Sequence, residues 1–216
     1  MNTFSLSAVK KVLLLGPHPD DLEFSSGGTI NRMREQNVDI HYAVFSMCEK
    51  SVPAGLPRDI IKQELIKSAE FMQIKKENLY MYGYDVRTFP QFRQEILEDM
   101  VALNKKIQPD LVLLPCSSDI HQDHETIHRE GIRAFKNNMI IGYEMPWNNF
   151  NFDSHVYVVL EEKDIQSKID VLQVYKSQSF RFYRSEDYVR SLATIRGIQI
   201  QSKFAEAFEV IRLKLS

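Results

Sequence analysis

The chain has 216 residues, 44% hydrophobic and 26% charged, with eight glycines and eight prolines, a folded composition that excludes disorder, collagen and mucin-like stalks. Its 27 basic and 29 acidic residues leave a net charge of −2, so no overall field draws it to nucleic acid or to an anionic membrane. Two cysteines, Cys48 and Cys116, are too few for a disulfide framework or a thiolate zinc site, which leaves nitrogen and oxygen to hold any metal and points to a reducing compartment.

Val12 to Leu15 is a continuous apolar run ended by Gly16-Pro17, a strand buried on both faces, and a helical pattern opens at Gly27-Gly28. The run is far too short for a signal-peptide core or a membrane span, and no other stretch approaches the roughly 20 apolar residues a span needs, so the chain is expected to be cytoplasmic. Strands follow over Asp39 to Phe45, Leu79 to Tyr82, Leu111 to Leu114, Met139 to Tyr143, His155 to Leu160 and Phe208 to Leu213. Helical spacing marks Arg58 to Met72, Phe92 to Ile107, Asp123 to Phe135, Lys163 to Ser177 and Ser185 to Phe204. This alternation predicts an α/β fold, a three-layer sandwich around a mostly parallel sheet, and the absence of a Pro-, Gly- or Ser-rich linker predicts one domain over 1–216.

In such sheets ligands bind beyond the carboxyl ends of the strands, where strand order reverses. Two polar clusters fall there: His18-Pro19-Asp20-Asp21 after the first strand, and Asp119-Ile120-His121-Gln122-Asp123-His124 after Leu111 to Leu114. A cation explains why Asp20 and Asp21 share so small a space, since two bare carboxylates would repel and one would take up a proton. His18 and Asp21 then coordinate, and Asp20 stays free to take a proton from attacking water. The competing role for either aspartate is to cap the next helix. Gly27-Gly28 lacks the lysine and hydroxyl of a phosphate loop and reads as close backbone packing.

The second cluster supports two incompatible readings. His124-Glu125-Thr126-Ile127-His128 matches the His-Glu-x-x-His pattern of zinc peptidases, with Glu125 as base and Glu144 available as a downstream ligand. In the other reading one of His121 and His124 binds the metal and the second faces substrate. The peptidase reading leaves the His18 turn without a task, whereas the other gives that turn a third ligand, His124. His41, His128 and His155 are then structural, and nothing beside either cysteine activates a thiolate.

On Gly16-Pro-His18-Pro-Asp20-Asp21-Leu-Glu-Phe-Ser-Ser-Gly27-Gly28 and Asp119-Ile-His121-Gln-Asp123-His124, with weaker matches at Ser177-Gln178, Arg196-Gly197 and Ala205 to Phe208, the chain resembles the LmbE-like, or PIG-L, metal-dependent N-acetylglucosaminyl deacetylases. The resemblance implies a Rossmann-like fold and hydrolysis of the acetamide of an N-acetylated amino sugar, a small-molecule substrate. It implies His18, Asp21 and His124 as ligands of Zn²⁺, with Fe²⁺ suited to the same set, and Asp20 as general base. His121 is implied to stabilise the oxyanion and help protonate the leaving amine, with Asp123 keeping its imidazole oriented and charged.

Two departures stand out. Where relatives carry a substrate-reaching arginine three residues before the glutamate matching Glu64, this chain has Ile61, and Arg58, one turn earlier, is the candidate replacement. The loop from Ser46 to Gly55 keeps only Glu49 of the relatives' pattern. Tyr143 to Phe150 offers aromatics either for a sugar-stacking wall or for core or homo-oligomer packing. A reading from a different class is a non-catalytic Rossmann-like module that binds a sugar or nucleotide.

Overall fold

A computed structural model describes residues 9–214. Seven strands form one sheet: β1 (Lys11–Gly16), β2 (Asp39–Val44), β3 (Leu79–Met81), β4 (Leu111–Pro115), β5 (Met139–Tyr143), β6 (Val156–Leu160) and β7 (Phe204–Arg212), in the order β3-β2-β1-β4-β5-β7-β6. The first five run parallel, and β7 lies antiparallel between β5 and β6. Six helices cover the faces: α1 (Asp21–Glu35), α2 (Ile60–Phe71), α3 (Arg93–Ile107), α4 (Gln122–Ala134), α5 (Glu162–Leu172) and α6 (Glu186–Ile198). Alternate residues of β1 explain the two layers, since Val12 and Leu14 join the core that includes Leu22, Ile30, Leu65 and Ile165, while Leu13 and Leu15 join the core that includes Ile96, Met100 and Ile127. No helix among the described residues is long and apolar enough to cross a membrane.

Because β1 pairs with β2 on one side and β4 on the other, strand order reverses at β1/β4, and the loops after these two strands open side by side.

Several boundaries differ from the sequence expectation. Helix α1 begins at Asp21 rather than near Gly27, so Ser25-Ser26-Gly27-Gly28, all weak helix formers, lie inside it. Tertiary contact replaces propensity there: a Cβ on Gly28 would stand 2.6 Å from Leu160 Cδ1, and one on Gly27 would stand 2.9 Å from Lys168 Cγ. At the same turn the Glu206 carboxylate accepts from Gly28 N–H (3.0 Å) and Thr29 N–H (2.7 Å) and pairs with Lys168 Nζ (2.7 Å). Close packing is thus the role of the glycine pair, and Glu206, in the weaker C-terminal match, is its counterpart.

The predicted helix from Lys163 ends at Leu172, and a separate 3-10 turn (Lys176–Gln178) follows. Helix α6 stops at Ile198 and β7 starts at Phe204, against a helix expected to Phe204 and a strand from Phe208. Gly197 sets that stop, since a Cβ there would meet Ser202 O at 2.7 Å, and Gln201 turns the chain with φ of 57°.

The Lys168–Glu206 pair is almost fully buried, so removing one partner strands a charge. Glu206→Ala is expected to cost about 3–5 kcal/mol of stability, read as a lowered midpoint in urea unfolding.

Candidate active site

The β1–α1 turn carries His18 and Asp20, with Asp21 the first residue of α1, and the β4–α4 loop carries Asp119 and His121, with Asp123 and His124 in the first turn of α4. Three atoms from the two loops converge. His18 Nδ1 and His124 Nε2 are 3.3 Å apart, and Asp21 Oδ2 is 3.4 Å from each. A tetrahedral ion with bonds of about 2.0–2.1 Å holds its donors about 3.3–3.4 Å apart, so this near-equilateral triangle fits such an ion with one face open. Ring nitrogens and a carboxylate are also the donor chemistry that zinc and iron accept.

Carboxylates behind the two histidines set which nitrogen faces the triangle. His18 Nε2 lies 2.9 Å from Asp123 Oδ2, and His124 Nδ1 lies 2.7 Å from Asp119 Oδ2. Each carboxylate takes the N–H of one ring nitrogen and leaves the other bare for a cation. Burial alone would lower the basicity of His18, yet the charges of Asp21 and Asp123 outweigh it and raise its pKa to about 9. The surroundings therefore favour positive charge at this point. Burial works against the Asp21 carboxylate too, but its electrostatic interactions with His124 and then His18 hold it below the usual range.

Asp20 stands beside the triangle in a left-handed conformation, φ 81°, sparsely populated by non-glycine residues. It occupies the N-cap position of α1 without making a side-chain cap hydrogen bond, so the capping role is not the one its side chain plays. Burial, then repulsion from Asp21 and Glu23, pushes its carboxyl well above the ordinary range, with Arg181 and His18 opposing.

The structure corrects one expected role. The Asp123 carboxylate does not hold His121: its Oδ2 meets His18 and Arg87 N–H (2.6 Å), and its Oδ1 accepts from Phe89 N–H (3.2 Å). Its backbone N–H instead donates to His121 Nδ1 at 3.2 Å, making His121 the N-cap of α4. An imidazole that accepts at Nδ1 is neutral and presents its N–H at Nε2. Burial and the electrostatic influence of His124 and His18 agree with that, lowering the His121 pKa to about 4. The expectation that Asp123 keeps His121 charged is overturned, because Asp123 has already spent its oxygens on His18 and two backbone amides.

Ring nitrogens of His18, His121 and His124 also lie within 4.8 Å of one another. The triangle with Asp21 is tighter, and His121 Nδ1 is engaged as a cap.

A cavity of about 310 Å³ opens over these groups, lined by His18, Asp20, Asp21, His121 and His124 and, around them, Phe24, Ile61, Trp147, Gln178, Arg181 and Tyr183. Trp147 stacks on Tyr183 with centroids 4.0 Å apart, and Phe24 meets Trp147 edge-on at 5.5 Å, so the Tyr143 to Phe150 segment does supply an aromatic wall. Arg58 is not there. Its side chain is 76% exposed and pairs with Glu49 at 3.2 Å, because helix α2 starts at Ile60 and leaves Arg58 in the outer loop, while Ile61 faces the cavity.

His128 Nδ1 bonds the Pro115 carbonyl at 2.7 Å, Glu125 pairs on the surface with Arg129 at 2.6 Å, and Glu144 is bound by Arg196 at 2.6 Å, so the peptidase constellation is not assembled. His41 faces Asp39 and Tyr80, and His155 accepts from Val210 N–H, both away from the site. Cys48 borders the cavity with its thiol pushed up chiefly by burial, and burial likewise raises Cys116. The roles of Asp119 and Arg181 were not anticipated. Asp119, two residues before His121 in the same string, carried a local signal, whereas Arg181 had only the weak match Ser177-Gln178 earlier in its loop.

The family model described as PIG-L: GlcNAc-PI de-N-acetylase matches residues 13–135. Diacetylchitobiose deacetylase of Thermococcus kodakarensis is 28% identical over 137 residues, 58% of this chain and 49% of the relative, so the chain spans about half the length of that protein. A probable N-acetyl-alpha-D-glucosaminyl L-malate deacetylase 2 of Bacillus cereus is 29% identical over 136 residues, 58% of this chain and 60% of the relative. Among solved structures, N,N'-diacetylchitobiose deacetylase from Pyrococcus horikoshii superposes with a TM-score of 0.79 at 23% identity, covering 95% of this chain and 85% of that one, a likeness of fold. With more than half of its length matched, including both loops of the site, the chain belongs to the PIG-L family.

Proposed function

We propose that the protein is a metal-dependent N-deacetylase that hydrolyses the acetamide of an N-acetylated amino sugar or its conjugate, with Zn²⁺, or Fe²⁺ in the same ligand set, held by His18, Asp21 and His124. The observation that carries this reading is the triangle of those three donors, with Asp20 at its side and a cavity above it. The deacetylase names of the relatives support it.

A divalent ion there supplies Lewis acidity, which polarises the amide carbonyl and brings the pKa of water towards about 7. Asp20 takes the proton from the attacking water, and its raised pKa makes it a better base than an ordinary aspartate while leaving it able to give the proton up again. His121 donates its Nε2–H to the oxyanion as charge develops on the carbonyl oxygen. The proton held on Asp20 then goes to the departing amine, because a neutral His121 of low basicity has none to spare. Asp119 and Asp123 fix the two histidine rings and take no part in proton transfer.

Asp20→Asn is expected to lower acetate release from an N-acetylhexosamine conjugate by about 10²–10⁴-fold while leaving bound metal unchanged; full activity in that variant sinks the mechanism. His18→Ala is expected to abolish both stoichiometric metal and the rise in melting temperature on adding zinc, and His128→Ala to leave both intact. Since the pKa of His18 is raised above 6.5 to about 9, a proton competes with the ion across that window. Apparent zinc affinity should therefore climb with pH by at most about tenfold per unit from this group and flatten near its pKa, as titration with a competing chelator would show.

A further inference from the structure

The cavity holds a guanidinium that the mechanism does not use. Arg181, in the loop between α5 and α6, lines the same cavity as the metal-binding triangle, within electrostatic reach of Asp20, and has no carboxylate within salt-bridge distance among the described residues. Arg196 and Lys168 are paired with Glu144 and Glu206, and the buried Arg184 of the same loop turns inward to the Leu172 carbonyl, so Arg181 is the one of these four that reaches the cavity without a carboxylate.

Arg181 is nonetheless held firmly. Its Nε donates to Gln178 Oε1 at 2.6 Å, and its Nη1 donates to the Tyr183 hydroxyl. Gln178 is anchored in turn: its amide donates to Ser177 Oγ (3.3 Å), and Glu64 of α2 accepts from Ser177 N–H (2.9 Å) and Ser177 O–H (2.5 Å). Glu64, Ser177 and Gln178 are all buried, so a rigid chain of hydrogen bonds runs from a helix to the guanidinium. Both Nη2 hydrogens, and one on Nη1, meet no protein acceptor among the described residues. A planar fork pre-aimed into a cavity with donors to spare suits two adjacent acceptor oxygens. The stacked Trp147–Tyr183 wall beside it suits the apolar face of a sugar ring.

We propose that Arg181 is the substrate-positioning residue of this site, gripping a pair of adjacent ring hydroxyls of the amino sugar so that its acetamide reaches the triangle. This rests on the deacetylase reading, and it gives the cavity a guanidinium that neither Ile61, which lines it, nor Arg58, which lies outside it, supplies.

Trp147, the only tryptophan of the chain, reports occupancy of the cavity without turnover. The zinc-loaded protein is titrated with the methyl glycoside of N-acetylglucosamine while indole fluorescence is followed, and the same sugar is assayed for acetate release. Wild type and Arg58→Ala are expected to saturate together. Arg181→Met, which keeps the aliphatic stem, should need about tenfold more sugar, raise KM by a similar factor and leave kcat within about threefold, with an unchanged melting temperature. Among 3-, 4- and 6-deoxy analogues, the one lacking a gripped hydroxyl should bind wild type and Arg181→Met equally. Ile61→Arg, added to Arg181→Met, should recover part of the affinity, since Ile61 lines the same cavity.

Equal saturation of wild type and Arg181→Met overturns the proposal while leaving the deacetylase reading standing. So does a loss seen only with conjugates bearing a carboxylate, which would move the guanidinium's target from the ring to the aglycone. Neither fluorescence change nor acetate release in wild type, over a panel of N-acetylhexosamine glycosides, overturns both.

Discussion

The site depends on the parallel pairing of β1 with β4. Val12 to Leu14 run in register with Leu111 to Leu113, which brings the carboxyl ends of both strands to one edge and opens their loops into the same space. His18 and His124 are 106 residues apart in sequence, yet their ring nitrogens meet at 3.3 Å because each lies just beyond the end of its strand. A one-residue slip in this pairing would move one loop by about 3.3 Å along the strand and turn its side chains to the other face. Val12 to Leu15 of β1 are packed alternately into the cores on the two faces, so such a slip would unseat all four.

Crowding of negative charge is the second constraint. Asp21, Asp119 and Asp123 all lie against the two histidines, and Asp20 and Glu23 stand close by. Each acid has a different remedy. Asp119 and Asp123 are neutralised locally by ring N–H groups and, for Asp123, by two backbone amides. Glu23, below the site, collects hydroxyls from Tyr42, Ser68 and Tyr175, while burial raises its pKa. Asp20 has no such partner and absorbs the repulsion as basicity. Two neighbouring carboxylates in one turn thus acquire opposite properties, Asp21 shifted down to bind a cation and Asp20 shifted up to carry a proton.

What the sequence made legible follows from the range of the interactions. Strands β1, β4 and β5 were readable because a parallel strand buried on both faces is written as an unbroken apolar run. The His18 turn and the Asp119 to His124 loop were readable as chemistry because histidines and carboxylates fell at short spacings beyond such strands. The start of α1 was hidden, since Ser25 to Gly28 oppose a helix on their own and are held in one by Glu206, Lys168 and Leu160 from far along the chain. The partner of Asp123 was misread for a related reason. Sequence neighbours suggested His121, but the N-cap geometry of α4 gives His121 the Asp123 backbone N–H and turns the carboxylate towards His18.

Arg58 and Arg181 show how a local rule fails where a distant contact succeeds. One helical turn before Ile61, Arg58 looked placed to reach the site, but helix α2 begins only at Ile60 and the preceding loop carries Arg58 outward to Glu49. Arg181 itself carries no mark in sequence, although the weak match Ser177-Gln178 lies three residues before it, because its orientation is set through Gln178 and Ser177 by Glu64, more than a hundred residues earlier. Glu64 therefore does more than pack α2: it ties the α5–α6 loop to the helix that presents Ile61. The Arg181 loop and α2 are thereby held together, and a substrate gripped by Arg181 meets the reacting groups at a distance set by buried hydrogen bonds rather than by loop flexibility.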